Sequence, residues 1–158
     1  MKMPNKIVIQ NPNPFSQNEI TKLENLTGLT FTLELSTFFK NYAGGKPTID
    51  GKDCQIDIIY QDGWKSSNVL VEIASFLSIQ DSWQYISYLQ EFRDHFEIPD
   101  RYVQVEKLIP IIKLMNATVY YATEGMHAGK IYYVDNGDFG ILKISNSLDE
   151  FFNKLSPK

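Results

Sequence analysis

The sequence predicts an α+β domain: an antiparallel or mixed sheet of about six strands, with helices packed at the N- and C-terminal ends. Three observations carry this. Segments of 3.6-residue apolar period, opened by serine caps, stand near both ends of the 158-residue chain. Between them lie short β-branched and aromatic runs, punctuated by Gly, Asn and Asp. No internal repeat, linker or low-complexity segment divides residues 1–158, so the chain reads as one domain with a core over about 14–156.

The first helix follows "NPNPF". Ser16 and Glu19 form a capping box, Phe15 can staple onto Ile20, and Leu23 continues that face until Gly28 supplies the stop. A second helix follows at once, because Leu35, Phe38, Phe39 and Tyr42 repeat at i, i+3, i+4 and i+7. Gly44 or Gly45 ends it by taking the left-handed conformation.

The period then changes to two. "CQIDIIY" (54–60) and "NVLVEIASF" (68–76) read as antiparallel strands, with Val69, Val71 and Ile73 on one face. Asp62-Gly63 marks the turn between them, within a loop longer than a tight hairpin. From Asp81, a candidate cap with Gln84 at the capping-box position, the helical period returns. Tyr85 or Ile86, Leu89, Phe92 and Phe96 line that helix, and Pro99 breaks it. Four further strands follow: "KLIPII" (107–112), "TVYYAT" (118–123), "KIYYVD" (130–135) and "GILKIS" (140–145). Asn136-Gly137 is the strongest hairpin signal, since a two-residue turn there needs positive φ at both positions. Ser147 and Glu150 form a second capping box, and Leu148, Phe151, Phe152 and Leu155 supply the buried stripe of a last helix.

Composition narrows the function. Apolar residues are 43% and charged residues 22%, as in ordinary globular proteins, and plentiful aromatics argue against disorder. The net charge of −4 and pI near 5.1 argue against direct nucleic-acid binding, whose footprint is a basic stripe. Cys54 stands alone, so no disulfide framework is implied. The N-terminus lacks the apolar stretch of a secretory signal and no run is long enough to span a membrane, so the cytoplasm is expected.

Catalytic constellations are hard to find. His95 and His127 share no metal-ligand spacing with each other or with Cys54. His95 is expected to satisfy helix-terminal carbonyls, and His127 to be solvated in a Gly-flanked loop. Gly129-Lys130 fails as a phosphate loop, because Glu124 replaces its first glycine and Ile131 follows the lysine. No nucleophile elbow occurs, and Cys54 lacks a nucleophile's local signature. Asp50, Asp53, Asp57 and Asp62 are scattered around turns, and nothing singles out a catalytic pair. A calcium loop begun at Asp135 fails too, with Gly137 and Phe139 at positions three and five and Asn146 at twelve. No metal and no cofactor is expected.

Four segments in order resemble the SUKH superfamily, which includes yeast cell-wall regulators and many bacterial immunity proteins. "ITKLENLTGLTFTLELSTFFKNYAGGKP" (20–47) is similar to its paired helices with a Gly-Gly-x-Pro corner. "LIPII" (108–112) is similar to its Ile-Pro-Ile strand, and "GKIYYVD" (129–135) to its Gly-x-Val-Tyr-aromatic-Asp strand. "ISNSLDEFFNKL" (144–155) is similar to its closing helix. The chain departs from the pattern at Ala43, where the family usually has Asn. It also departs at Phe31-Thr32, where Leu-Pro is usual, and at "KLMNA" (113–117), where an acidic, Gly-rich turn is common.

The resemblance implies a non-enzymatic binding domain, often an immunity protein that neutralises a cognate polymorphic toxin, such as a nuclease, by covering its surface. The alternative it implies is a regulatory or scaffold adaptor in envelope or signalling complexes; an unrecognised hydrolase is a third reading. A nuclease presents a basic cleft, so acidic and aromatic turn residues are the expected contacts: Asp62, Trp64, Asp135 and Asp138. The simpler reading of each is a core tryptophan and turn-shaping aspartates. The expected partner is a protein, with neither nucleic acid nor membrane.

Overall fold

The computed structural model describes residues 1–62, 65–92, 105–137 and 140–158. Among them the α+β class holds, with four helices against an antiparallel sheet. The expected six strands are all present, but three short ones join them: β1 (Ile7–Gln10), β2 (Lys46–Ile49) and, at the C-terminus, β9 (Ser156–Pro157). Each is only two to four residues long and owes its pairing to distant chain, so no local period announces it.

Helix α1 (Gln17–Thr27) is capped as its sequence requires. Ser16 Oγ accepts from Glu19 N at 3.1 Å, and Glu19 Oε1 accepts from Ser16 N at 3.0 Å. Gly28, at φ +71°, closes it by donating to Glu24 O at 2.8 Å. Helix α2 (Leu33–Tyr42) is capped by Thr32, which accepts from Leu35 N at 3.1 Å and also bonds Tyr121 OH at 2.7 Å. Gly44 is the residue that turns left-handed, at φ +73°. Gly45 is needed for space instead, since a Cβ there would fall on Ile9 Cγ2.

The β2 strand returns as β3 (Lys52–Asp62) through Asp50 and Gly51, both at positive φ (53° and 73°) between the pair Ile49↔Lys52. β3 pairs with β4 (Lys65–Phe76) all the way from Gln55↔Glu72 to Asp62↔Lys65. The connection is therefore shorter than expected. Backbone pairing continues through Ser66 and Ser67, where polar side chains suggest a loop. Gly63 and Trp64, between the last pair, lie outside the described residues.

Helix α3 spans Ile79–Phe92. Its cap is Ser78, not Asp81: Ser78 Oγ accepts from Asp81 N at 3.1 Å, so the helix starts earlier and Gln84 is no capping-box residue. Ile86 and Leu89 are its buried apolar positions, whereas His95, Phe96 and Pro99 lie outside the described residues. A meander follows: β5 (Leu108–Leu114), β6 (Ala117–Ala122), β7 (Ile131–Asp135) and β8 (Ile141–Ser145). Helix α4 (Leu148–Asn153) closes the fold. Its capping box is displaced, because Glu150 Oε2 accepts from Asn146 N (2.6 Å) instead of from Ser147 N. Leu155 is buried as expected but lies beyond the helix, on the way to the β9 pairing with Cys54 and Gln55.

The strands run in the order β1 to β8, with β9 on the edge of β3. One face buries α1, α2 and α4; Phe38 sits at its centre, 5.0 Å from Phe76 and 6.0 Å from Phe152 between ring centroids. A second cluster joins Leu89 of α3 to Leu108, Tyr120, Tyr132 and Val134. Burial on both sides explains why β5 to β7 read as continuous apolar runs instead of alternating ones.

Candidate functional site

Because each strand is antiparallel to its neighbours, β3, β5 and β7 point the same way, and the turns after them share one end of the sheet. Tyr60 of β3 meets Tyr133 of β7 edge-on, with ring centroids 6.2 Å apart. Asp62 and Asp135 each stand two positions beyond these rings. The structure thus carries both ends of the expected contact set to one end of the molecule. Trp64 and Asp138 lie outside the described residues.

The Asp135 carboxylate is already engaged. Its Oδ1 accepts from Gly137 N at 2.7 Å, and Asn136 N donates to Asn116 O at 3.1 Å, tying this turn to the one after β5. The expected two-residue hairpin is corrected here. Neither Asn136 nor Gly137 has a positive φ, and the bend is longer, with Asp135 N donating to Gly140 O at 3.2 Å. The side-chain bond from Asp135 sets the turn where the dipeptide alone suggested mirror-image geometry. Asp50-Gly51 has the positive φ values that were expected at Asn136-Gly137.

Exposed apolar side chains stand on the β3–β4 hairpin and on the turn after β5. Ile59, Leu70 and Met115 are 58%, 56% and 56% exposed, and Val69 is 44% exposed. Met115 N donates to Glu72 O at 3.1 Å, which holds the β5 turn beside β4. On the other side of the meander, a cleft of about 210 Å³ is lined by Tyr85, Tyr88, Tyr120, Thr118 and Asn136, among others. Burial pushes the Tyr120 phenol well above its ordinary range, with the nearby Tyr85 and Tyr88 adding to it. It therefore stays protonated at neutral pH and is not available as a base.

The remaining candidates are structural. Burial pushes the Cys54 thiol up to about 11, with Asp53 beside it adding to the effect, so it is held as a neutral thiol. The Lys46 ammonium, 3.1 Å away, holds the Asp53 carboxyl below the ordinary carboxylate range, and Asp57 accepts from Asn68 at 3.0 Å. His127 departs from expectation: it is half-buried, its Nδ1 lies 3.1 Å from Tyr132 OH, and its Nε2 is buried with no hydrogen-bond partner among the described residues. Gly129 donates to Ala122 O at 2.8 Å and leads into β7, which is a strand-joining turn and not a phosphate cradle. Among the described residues no group of three or more His, Cys, Asp or Glu side chains could hold a metal ion, and no helix is long and apolar enough to cross a membrane.

The exposed Ile59, Leu70 and Tyr88 and the half-buried Tyr85 were not among the sequence candidates. Their one signal was apolar character on the second face of "IDIIY" and beside the helix stripe, which in a sequence is indistinguishable from core. A family model described as SMI1 / KNR4 family (SUKH-1) matches residues 14–154. No curated protein matches the chain significantly.

Proposed function

The chain belongs to the SMI1 / KNR4 family (SUKH-1), and on that premise we propose that it is a non-enzymatic binding protein that neutralises a cognate bacterial toxin in the cytoplasm. The family match carries the reading. The β3–β4 hairpin supports it physically, because the exposed Ile59 and Leu70 share one of its faces with Asp57. Apolar anchors within a charged rim are what a stable protein interface requires. Inhibition by covering a partner needs no reacting group, in keeping with the inert Cys54 and the turn-bound Asp135.

Co-expression with the toxin encoded beside its gene tests this. Restored growth and co-purification of the pair are expected. Absence of both, or capture of envelope or kinase complexes in place of a single toxin, would transfer the protein to the adaptor role.

A further inference from the structure

Among the described residues, the β3 strand has an open edge. On the side away from β4 it pairs with β2 only at Lys52 and Asp53, and with β9 only at Cys54 and Gln55. Lys158 N donates to Asp53 O at 2.7 Å across that edge. Backbone groups alternate along a strand, so those of Asp57, Ile59 and Gln61 point to the same side, while Ile56, Ile58 and Tyr60 bond β4. No described strand meets the three outward residues. They span about 14 Å, the reach of a five-residue extended segment.

The space beside this edge is shaped. A cleft of about 450 Å³ is lined by Asp57 and Ile59 on one side, and by Lys143, Ile144 and Lys154 on the other. Among the described residues, β8 is the last strand of the sheet and pairs with β7 alone. Its register slips between Lys143 and Ser145, and the Ile144 carbonyl is taken by Lys154 Nζ at 2.7 Å. Charge in the cleft is unevenly compensated. Asp57 is held by Asn68 and Lys154 by Glu150 at 3.4 Å, but the Lys143 ammonium contacts only the neutral Asn146 Oδ1 at 3.2 Å among the described residues.

We propose that this cleft binds an extended segment of a partner protein by strand addition to Asp57–Gln61, with an apolar side chain on Ile59 and Ile144 and an acidic one on Lys143. Main-chain hydrogen bonds to the open edge supply the docking, and the alternate side chains supply the selectivity. The cleft shares Ile59 with the surface assigned to the toxin, but docking on the backbone edge stands whether or not the partner is a toxin.

The probe is a capped seven-residue peptide of alternating valine and glutamate, titrated against the full chain and followed by amide hydrogen exchange. Binding is expected to slow exchange at Asp57, Ile59 and Gln61 and to leave the amides of Asn68 and Leu70 unchanged. N-methylating the edge-facing peptide bonds should weaken binding at least tenfold, and this control needs no protein variant. Ile59→Pro, which removes an outward N–H, should abolish binding, and Lys143→Glu should weaken it at least fivefold. Absence of binding, binding indifferent to N-methylation, protection on β4 in place of β3, or a dimer of the chain through this edge would each overturn the proposal. The growth-rescue result bears on none of these outcomes.

Discussion

The two halves of the β3–β4 hairpin differ more than their sequences do. In the half nearest the helices, Cys54, Ile56 and Ile58 share a face with Val71 and Ile73 and all are buried, three of them at 0% exposure (Cys54, Ile58, Ile73). Ile59 and Leu70 on the opposite face, and Val69 across from Ile58 where that cover ends, are just as apolar and about half in water. The alternation is unbroken across the boundary, as is the register. What changes is the neighbourhood: β9 and β5 flank only the first half, and α2 and α4 cover only its inner face. A strand pattern therefore tells which residues share a face, and not whether anything covers that face.

This contrast can be tested from its largest expected effect downward. Phe38→Ala empties the centre of the aromatic cluster shared with Phe76 and Phe152 and should cost about 3–5 kcal/mol in urea unfolding. Ile58→Ala should cost about 2–5 kcal/mol, whereas the same change at its neighbour Ile59 should stay within about 0.5 kcal/mol. Equal effects at the two positions would dissolve the comparison. Ser147→Ala removes the acceptor of Glu150 N and should cost about 1 kcal/mol by thermal melting.

Glu150 gives a smaller, pH-dependent signature. Hydrogen bonding from Asn146 N, and then the charge of Lys154, hold its carboxyl below the ordinary carboxylate range. Its contribution is present above the unfolded-state pKa and is lost as pH falls through the folded one. Glu150→Gln should therefore flatten the acid limb of stability against pH and leave the neutral-to-alkaline limb unchanged. Leu70→Ser should leave stability within about 0.5 kcal/mol but weaken capture of the neighbouring toxin, which is the sharpest separation of the two halves.

Much of the fold was legible from particular residues. Ser16 with Glu19, the Leu35-Phe38-Phe39 spacing, and the β-branched runs from 54 to 145 are local signals, and each formed the element it announced. The α3 cap was misplaced by three residues, since Ser78 and Asp81 are both good caps and only the packing of Ile86 and Leu89 chooses between them. The site was less legible. Asp62 and Asp135 were marked by their turns, but Ile59, Leu70 and Tyr88 carry no local mark that separates surface from core.

By itself the sequence determined the class, the order of elements and the faces of its helices, because capping and periodicity act within a few residues. Tertiary structure alone decided the rest. It added β1, β2 and β9, whose hydrogen bonds are made with strands that no neighbouring residue encodes. It brought the turns after β3 and β7 to one end, and it left the outer half of β3 with no described strand on the edge away from β4. Pairing and burial are long-range quantities, set by what else arrives at a surface, and a single strand does not contain that information.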